Sequence, residues 1–68
     1  MIDKYLLKSY MSKKRKTSKD MAEKLNINVS TFYLKMNGHR DFTRNELSII
    51  LKTLELSTEE VGNIFFAN

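Results

Sequence analysis

Cationic side chains, which bind phosphate and other anions, are concentrated in the first two thirds of the chain. Residues 1–45 carry eleven Lys or Arg against four Asp or Glu, a net charge of +7, whereas residues 46–68 carry one Lys and four Glu, a net charge of −3. The densest run is Lys13–Lys16. The asymmetry predicts that the N-terminal portion faces a polyanion, and Lys13–Lys16 either follows that polyanion or is a solvated surface run.

Residues capable of other chemistry are few. The chain has no cysteine, and its single histidine, His39, does not belong to any metal-ligand pattern. It also lacks a recognisable Ser-His-Asp triad motif, a pair of catalytic carboxylates and a glycine-rich phosphate loop. We therefore expect no enzyme activity, no metal and no cofactor.

Apolar residues recur with a helical period throughout the chain, and hydroxyl or amide residues stand at the helix starts. Thr43 with Glu46 and Ser57 with Glu60 have the spacing of capping boxes. The pattern predicts an all-α fold of five short helices without strands: helix 1 over about 2–12, helix 2 over 18–25, helix 3 over 29–36, helix 4 after Thr43 and helix 5 after Ser57.

The inner faces of these helices follow from the same spacing. We expect helix 1 to pack through Ile2, Tyr5, Leu6 and Tyr10. Helix 4 is expected to use Leu47, Ile50, Leu51 and Leu54, and helix 5 to use Val61, Ile64 and Phe65. All 68 residues are predicted to form a single domain.

Helices 2 and 3 are short, are joined by a tight turn and carry the small residue Ala22 where the two must approach closely. The run Thr17–Phe32 (TSKDMAEKLNINVSTF), closed by Asn37-Gly38, resembles the helix-turn-helix of the Cro/repressor (Xre-type) family. With the flanking helices, the resemblance extends over nearly the whole chain. It implies a lambda-repressor-like domain whose helix-turn-helix spans about 17–38.

Three residues depart from the family pattern. Asn26 occupies the turn position that is usually glycine, and asparagine tolerates the left-handed conformation needed there. Lys16 replaces the apolar residue that normally packs against Met21. Lys35 replaces a buried aliphatic residue, and we expect its methylene stem to cover the edge of the core while its ammonium reaches a phosphate.

The face of helix 3 that contacts DNA is open to two interpretations. A helical wheel groups Val29, Phe32, Tyr33 and Met36 as core, whereas the family template buries only Phe32 and Met36. The template is favoured because it gives a reason for the apolar residue Leu34 to be exposed beside Tyr33. The resemblance implies the following DNA-contacting residues: Thr17, Ser18, Lys19, Asn28, Val29, Ser30, Thr31, Tyr33, Leu34, Lys35, Asn37, His39 and Arg40.

Some of these residues also have a simpler explanation. Ser18 and Lys19 either hold a phosphate at the positive end of helix 2 or are ordinary exposed residues of a helix end. No Arg, Gln or Asn lies in the body of helix 3 to form a bidentate bond with a base. The resemblance therefore implies modest direct readout of bases, with larger contributions from DNA shape and phosphate contacts.

The C-terminal residues Ile64, Phe65 and Phe66 are candidates for self-association. Adjacent residues on a helix diverge by about 100°, so both phenylalanines cannot easily face one core. One fills the core, and the other is available to a partner, most simply a second copy on a palindromic operator.

The resemblance implies a transcriptional regulator, encoded by a phage or prophage, that binds double-stranded DNA as a homodimer. The alternative is a protein-interaction module, such as an antirepressor acting on another regulator. No apolar run is longer than four residues and the N-terminus lacks the apolar core of a secretory peptide, so we expect a cytoplasmic, nucleoid-associated protein without a membrane span.

Overall fold

The computed structural model describes residues 1–67, and in this part of the chain all regular secondary structure is helical. Five helices follow one another along the chain: α1 (Lys4–Lys13), α2 (Ser18–Leu25), α3 (Val29–Met36), α4 (Arg44–Leu54) and α5 (Thr58–Phe65). The predicted all-α class is therefore confirmed, and the predicted limits of helices 2 and 3 are the observed ones.

Most helix starts are capped by side chains a few residues away. Thr17, Thr43 and Ser57 each accept a hydrogen bond from the backbone N–H three residues later, and the acid there accepts one in return, which makes three capping boxes. At α1 the Asp3 carboxylate accepts from the Leu6 N–H. Asn28, before α3, makes no such bond.

Helices α1 to α4 are each followed by a residue with positive φ: Arg15, Asn26, Gly38 and Glu55. At each of these ends, one backbone N–H reaches back five residues to a carbonyl, as Ile27 N–H does to Ala22 O at 3.0 Å. These are Schellman motifs, and only one of the four uses glycine. The helix ends are therefore closed by local hydrogen bonds.

The five helices share one cluster of buried side chains. Its members are Leu7, Met11, Met21, Ala22, Leu25, Phe32, Met36, Ile50, Leu54, Leu56, Ile64 and Phe65. Phe42, in the loop between α3 and α4, joins this core through edge-on contacts, with ring centroids 6.0 Å from Phe32 and 5.3 Å from Phe65. The loop is thus anchored by an aromatic side chain that lies outside every helix.

The prediction for helix 1 was partly wrong. The helix begins at Lys4, because Asp3 is its cap and not a member of its first turn. Its buried residues are Leu7 and Met11, whereas Tyr5 is 71% exposed. The Asp3 N–H donates to Ile64 O at 2.6 Å, which fixes the start of α1 against α5 and turns Tyr5 outward.

Candidate nucleic-acid interface

Helices α2 and α3 are joined by the three-residue turn Asn26–Asn28. Asn26 has φ 57° and ψ 44°, the left-handed conformation that glycine or asparagine adopts most easily. Ala22 is buried, and its small side chain allows α2 to pack closely. The turn and the two helices therefore have the local geometry of a helix-turn-helix.

The residues of α3 divide into a buried face and an exposed face. Phe32, Lys35 and Met36 are buried, and Thr31 is half-buried. The exposed face consists of Val29, Ser30, Tyr33 and Leu34, with Asn37 just beyond the helix. Tyr33 is 47% exposed, so it is not a core residue, and the arrangement agrees with the family template and not with the helical wheel.

The start of α3 presents unpaired backbone donors. The first intrahelical bond is from Phe32 N–H to Asn28 O, which leaves the N–H groups of Val29, Ser30 and Thr31 without a helical acceptor. The Asn28 side chain does not cap them, and the first turn contains no acid. This helix end can therefore donate hydrogen bonds to an anion such as a phosphate.

The start of α2 is already capped by an acidic residue of the same helix, Asp20. The Thr17 hydroxyl accepts from the Asp20 N–H, and the Asp20 carboxylate accepts from the Thr17 N–H at 2.9 Å. These hydrogen bonds lower the pKa of Asp20, so its charge is kept at this end of the helix. Lys19 is exposed and Ser18 is half-buried. A phosphate at this end of α2 would lie near the Asp20 carboxylate as well as near the helix terminus.

The expectation that the Lys35 ammonium reaches a phosphate was wrong. Lys35 Nζ donates to Glu46 Oε1 at 2.6 Å, and both side chains are about nine-tenths buried. The same Glu46 oxygen accepts the Thr43 N–H at 2.8 Å. Lys35 is therefore held inside the domain, where it joins α3 to the start of α4.

Two residues important for this arrangement were missed from the sequence, namely Glu46 as the partner of Lys35, and Phe42. The available indication was Lys35 itself, because a lysine at a core position requires a buried acceptor. The spacing of Thr43 and Glu46 predicted only a capping box for this acid, and so gave no reason to pair it with Lys35. One carboxylate performs both functions.

Basic residues surround the end of α3. His39 and Arg40 are exposed in the following loop, as expected. Lys4 Nζ, from the first turn of α1, donates to Asn37 Oδ1 at 3.2 Å. An open groove of about 1170 Å³ lies between this end of α3, the N-terminal residues and residues 65–67.

The run at 13–16 is partly engaged within the domain. Lys14 Nζ lies 3.1 Å from Glu55 Oε2 in an exposed ion pair, and Lys13 Nζ lies 5.2 Å from the centre of the Tyr10 ring. Arg15 closes the end of α1 with positive φ. The run therefore has contacts of its own with the surface of the domain.

At the C-terminus, the structure separates the three candidate dimer residues. Ile64 is fully buried and Phe65 is 8% exposed, because both complete the core. Neither is available to a second copy unless the domain opens, so these two were wrongly assigned to the dimer surface. Phe66 is 67% exposed and is the candidate that remains.

Two other kinds of site are absent from residues 1–67. No three His, Cys, Asp or Glu side chains in that range gather closely enough to hold a metal ion. None of its helices has the length and hydropathy needed to cross a membrane.

Comparison with known proteins finds a matching family model. A family model described as a Cro/C1-type HTH DNA-binding domain matches residues 6–63 of the 68-residue chain. No curated protein and no solved structure matched. The matched range contains α2, α3, α4 and the turn between α2 and α3.

Proposed function

The chain belongs to the family of Cro/C1-type HTH DNA-binding domains, and from this premise we propose that it regulates transcription by binding double-stranded DNA sequence-specifically. The observation that carries the proposal is the exposed face of α3, on which Ser30, Tyr33 and Leu34 point away from the core. The helix is held in this orientation by Phe32, whose side chain is fully buried.

In the proposed complex, α3 lies in the major groove. Ser30 donates to a base edge or a phosphate, and Leu34 or Val29 contacts a thymine methyl group. Tyr33 can make either kind of contact. The free N–H groups at the start of α3 bind a phosphate, and His39 and Arg40 lie near the backbone beyond its end.

This face lacks an arginine or glutamine that can bind a base through two hydrogen bonds. Specificity then depends to a large extent on DNA shape and on the position of phosphate contacts. The protein acts by binding alone, without a catalytic step.

The finer proposals are a repressor of the Cro type, encoded by a phage or prophage and acting in the host cytoplasm at the nucleoid. It binds a palindromic operator as a homodimer, and the exposed Phe66 contributes to the contact between copies.

The salt dependence of DNA binding tests this function. With about four to six phosphates contacted per subunit, the logarithm of the binding constant falls against the logarithm of salt concentration with a slope of about −4 to −5. The measurement is a titration of the full chain with duplex DNA, including the DNA that flanks its own gene, at several salt concentrations.

A second candidate function is a protein-interaction module that acts on another regulator. It is favoured by the exposed Phe66 and by the acidic residues 46–68. The same titration separates the two, because a module of this kind gives a slope near zero with every duplex.

A further inference from the structure

Helix α1 presents an aromatic residue to solvent between two lysines. Tyr5 is 71% exposed although it belongs to a helix that packs on the core. Lys4 Nζ lies 5.4 Å and Lys8 Nζ 5.9 Å from the centre of its ring. Lys4, Tyr5 and Lys8 form what we call the α1 basic surface.

This surface is continuous with the end of α3. The hydrogen bond from Lys4 Nζ to Asn37 Oδ1 brings an ammonium from α1 to the last exposed residue of the proposed DNA-contacting face. Lys4, Tyr5 and Asn37 also line the same open groove as Arg40 and Arg44. The cations of α1 and of the loop after α3 therefore share one side of the molecule.

The lysines of this surface keep their charge available. The ion pairs found within residues 1–67 are Lys14–Glu55 and Lys35–Glu46, and neither involves α1's first two turns. Asp3 is close in sequence, but its carboxylate accepts the Leu6 N–H at 3.0 Å as the helix cap. Asp41 is the other acid that lines the groove, where it is outnumbered by Lys4, Arg40 and Arg44.

We propose that the α1 basic surface binds backbone phosphates of double-stranded DNA at the edge of the site that α3 occupies. This inference rests on the proposed function and extends the interface beyond the helix-turn-helix. The tyrosine ring supports the two ammonium groups through cation–π contacts, and its hydroxyl can donate to a phosphate oxygen. Such contacts strengthen binding irrespective of base sequence.

The test compares two double variants that lose the same charge. Lys4→Gln/Lys8→Gln removes the cations of the α1 basic surface, and the control Lys24→Gln/Lys52→Gln removes two exposed lysines of α2 and α4. Each variant is titrated, as the full chain, with a random-sequence duplex of about two helical turns at several salt concentrations. Thermal melts verify that all of them are folded.

The expected result is a salt slope less negative by about 2 for Lys4→Gln/Lys8→Gln, with binding weakened about tenfold or more, and a much smaller change for the control. Equal slopes in the two variants overturn the proposal while leaving the proposed function intact. A slope near zero for the unmodified protein overturns both.

Tyr5→Ala adds an independent measurement. It should weaken DNA binding about threefold or more, because the lysines lose their cation–π contacts with the ring. The salt slope should change little, because no charge is removed. Sedimentation of the same variants tests whether a second copy of the chain, and not DNA, binds this surface. If they bind DNA normally but lose self-association, the surface contacts a second copy and the proposal is wrong.

Discussion

Phe32 and Tyr33 are neighbours in α3, yet one side chain is fully buried and the other is half exposed. Replacement of Phe32 by alanine is expected to cost about 3–5 kcal/mol of unfolding free energy, enough to unfold a domain of this size. Tyr33→Ala and Leu34→Ala should cost less than half as much, because exposed groups lose little burial. Each should instead weaken specific DNA binding by about 1–3 kcal/mol.

Thermal melts combined with binding to specific and random duplexes check these three variants. Non-specific binding should be preserved in Tyr33→Ala and Leu34→Ala. If Tyr33→Ala melts as low as Phe32→Ala, Tyr33 contributes to the core and the proposed DNA-contacting face of α3 is wrong.

Lys35 is the residue whose role in the structure differs most from the expectation. Lys35→Met keeps an unbranched side chain about as long as the methylene stem of lysine, but leaves the Glu46 carboxylate buried without its cation. We expect a loss of about 3 kcal/mol in unfolding free energy at neutral pH, because an isolated buried charge is poorly solvated. The control Lys52→Met, at an exposed position of α4, should change stability by less than about 0.5 kcal/mol.

Lowering the pH should reduce the difference in unfolding free energy between Lys35→Met and the unmodified protein. Burial acts to raise the pKa of Glu46, but hydrogen bonds from Lys35 and the Thr43 N–H outweigh it and hold this pKa below its ordinary value of 4.5. A carboxyl with a lowered pKa stabilises the fold above its ordinary pKa, and this contribution disappears as the pH falls through the folded-state value. Urea unfolding at about pH 7 and about pH 3 measures the difference. An equal difference at both pH values would show that the charge on Glu46 is irrelevant.

The turn between α2 and α3 depends on the backbone conformation of Asn26. Asn26→Gly should be neutral or stabilise the domain by up to about 1 kcal/mol, because glycine adopts positive φ without strain. Asn26→Val should destabilise it by about 1–2 kcal/mol, since a β-branched side chain is strained there. Urea unfolding measures both variants.

The matched control for this turn is Asn63→Gly, at an exposed position inside α5. Glycine in a helix costs about 0.5–1 kcal/mol, so this variant should lose stability where Asn26→Gly does not. If both glycine variants are destabilised alike, the left-handed conformation at Asn26 is not what favours glycine.

Features determined by short stretches of sequence were predictable. Helix 2 has its predicted limits because Thr17 and Asn26 act on residues within one turn. Helix 3 also has its predicted limits, although the Asn28 side chain makes no cap hydrogen bond. The orientation of α3 came from the family template, since a helical wheel carries no information about which neighbour covers each face.

Features that depend on distant residues were not predictable in the same way. Tyr5 has the spacing of a core residue, but the contact of Asp3 with Ile64, some sixty positions away, sets how α1 faces the core. Phe42 lies in a loop, where no periodicity indicates burial. The Lys35–Glu46 pair joins α3 to α4, whereas the sequence around Glu46 indicates only its role in the cap of α4.

At the scale of the molecule, Phe66 is a large apolar side chain that the core does not use. Phe66→Ser should shift sedimentation toward the monomer and weaken operator binding, while circular dichroism retains the helix content because the residue is exposed. Leu34→Ser, at an exposed apolar position of α3, is the control for the mass alone, which it should leave unchanged, because Leu34 belongs to the proposed DNA-contacting face. If Phe66→Ser leaves both mass and affinity unaltered, the residue has no part in a dimer.

The closure of the helix ends by local hydrogen bonds also favours rapid folding. The capping and Schellman bonds join residues only three to five positions apart, so they can form without bringing distant segments of the chain together. Small helical domains of this kind fold in microseconds to milliseconds, and the chain has no proline whose isomerisation would delay it by tens of seconds. A ribosome needs about 0.1 s to add one residue. The concentration of folded protein in a cell therefore follows its synthesis without a lag for maturation.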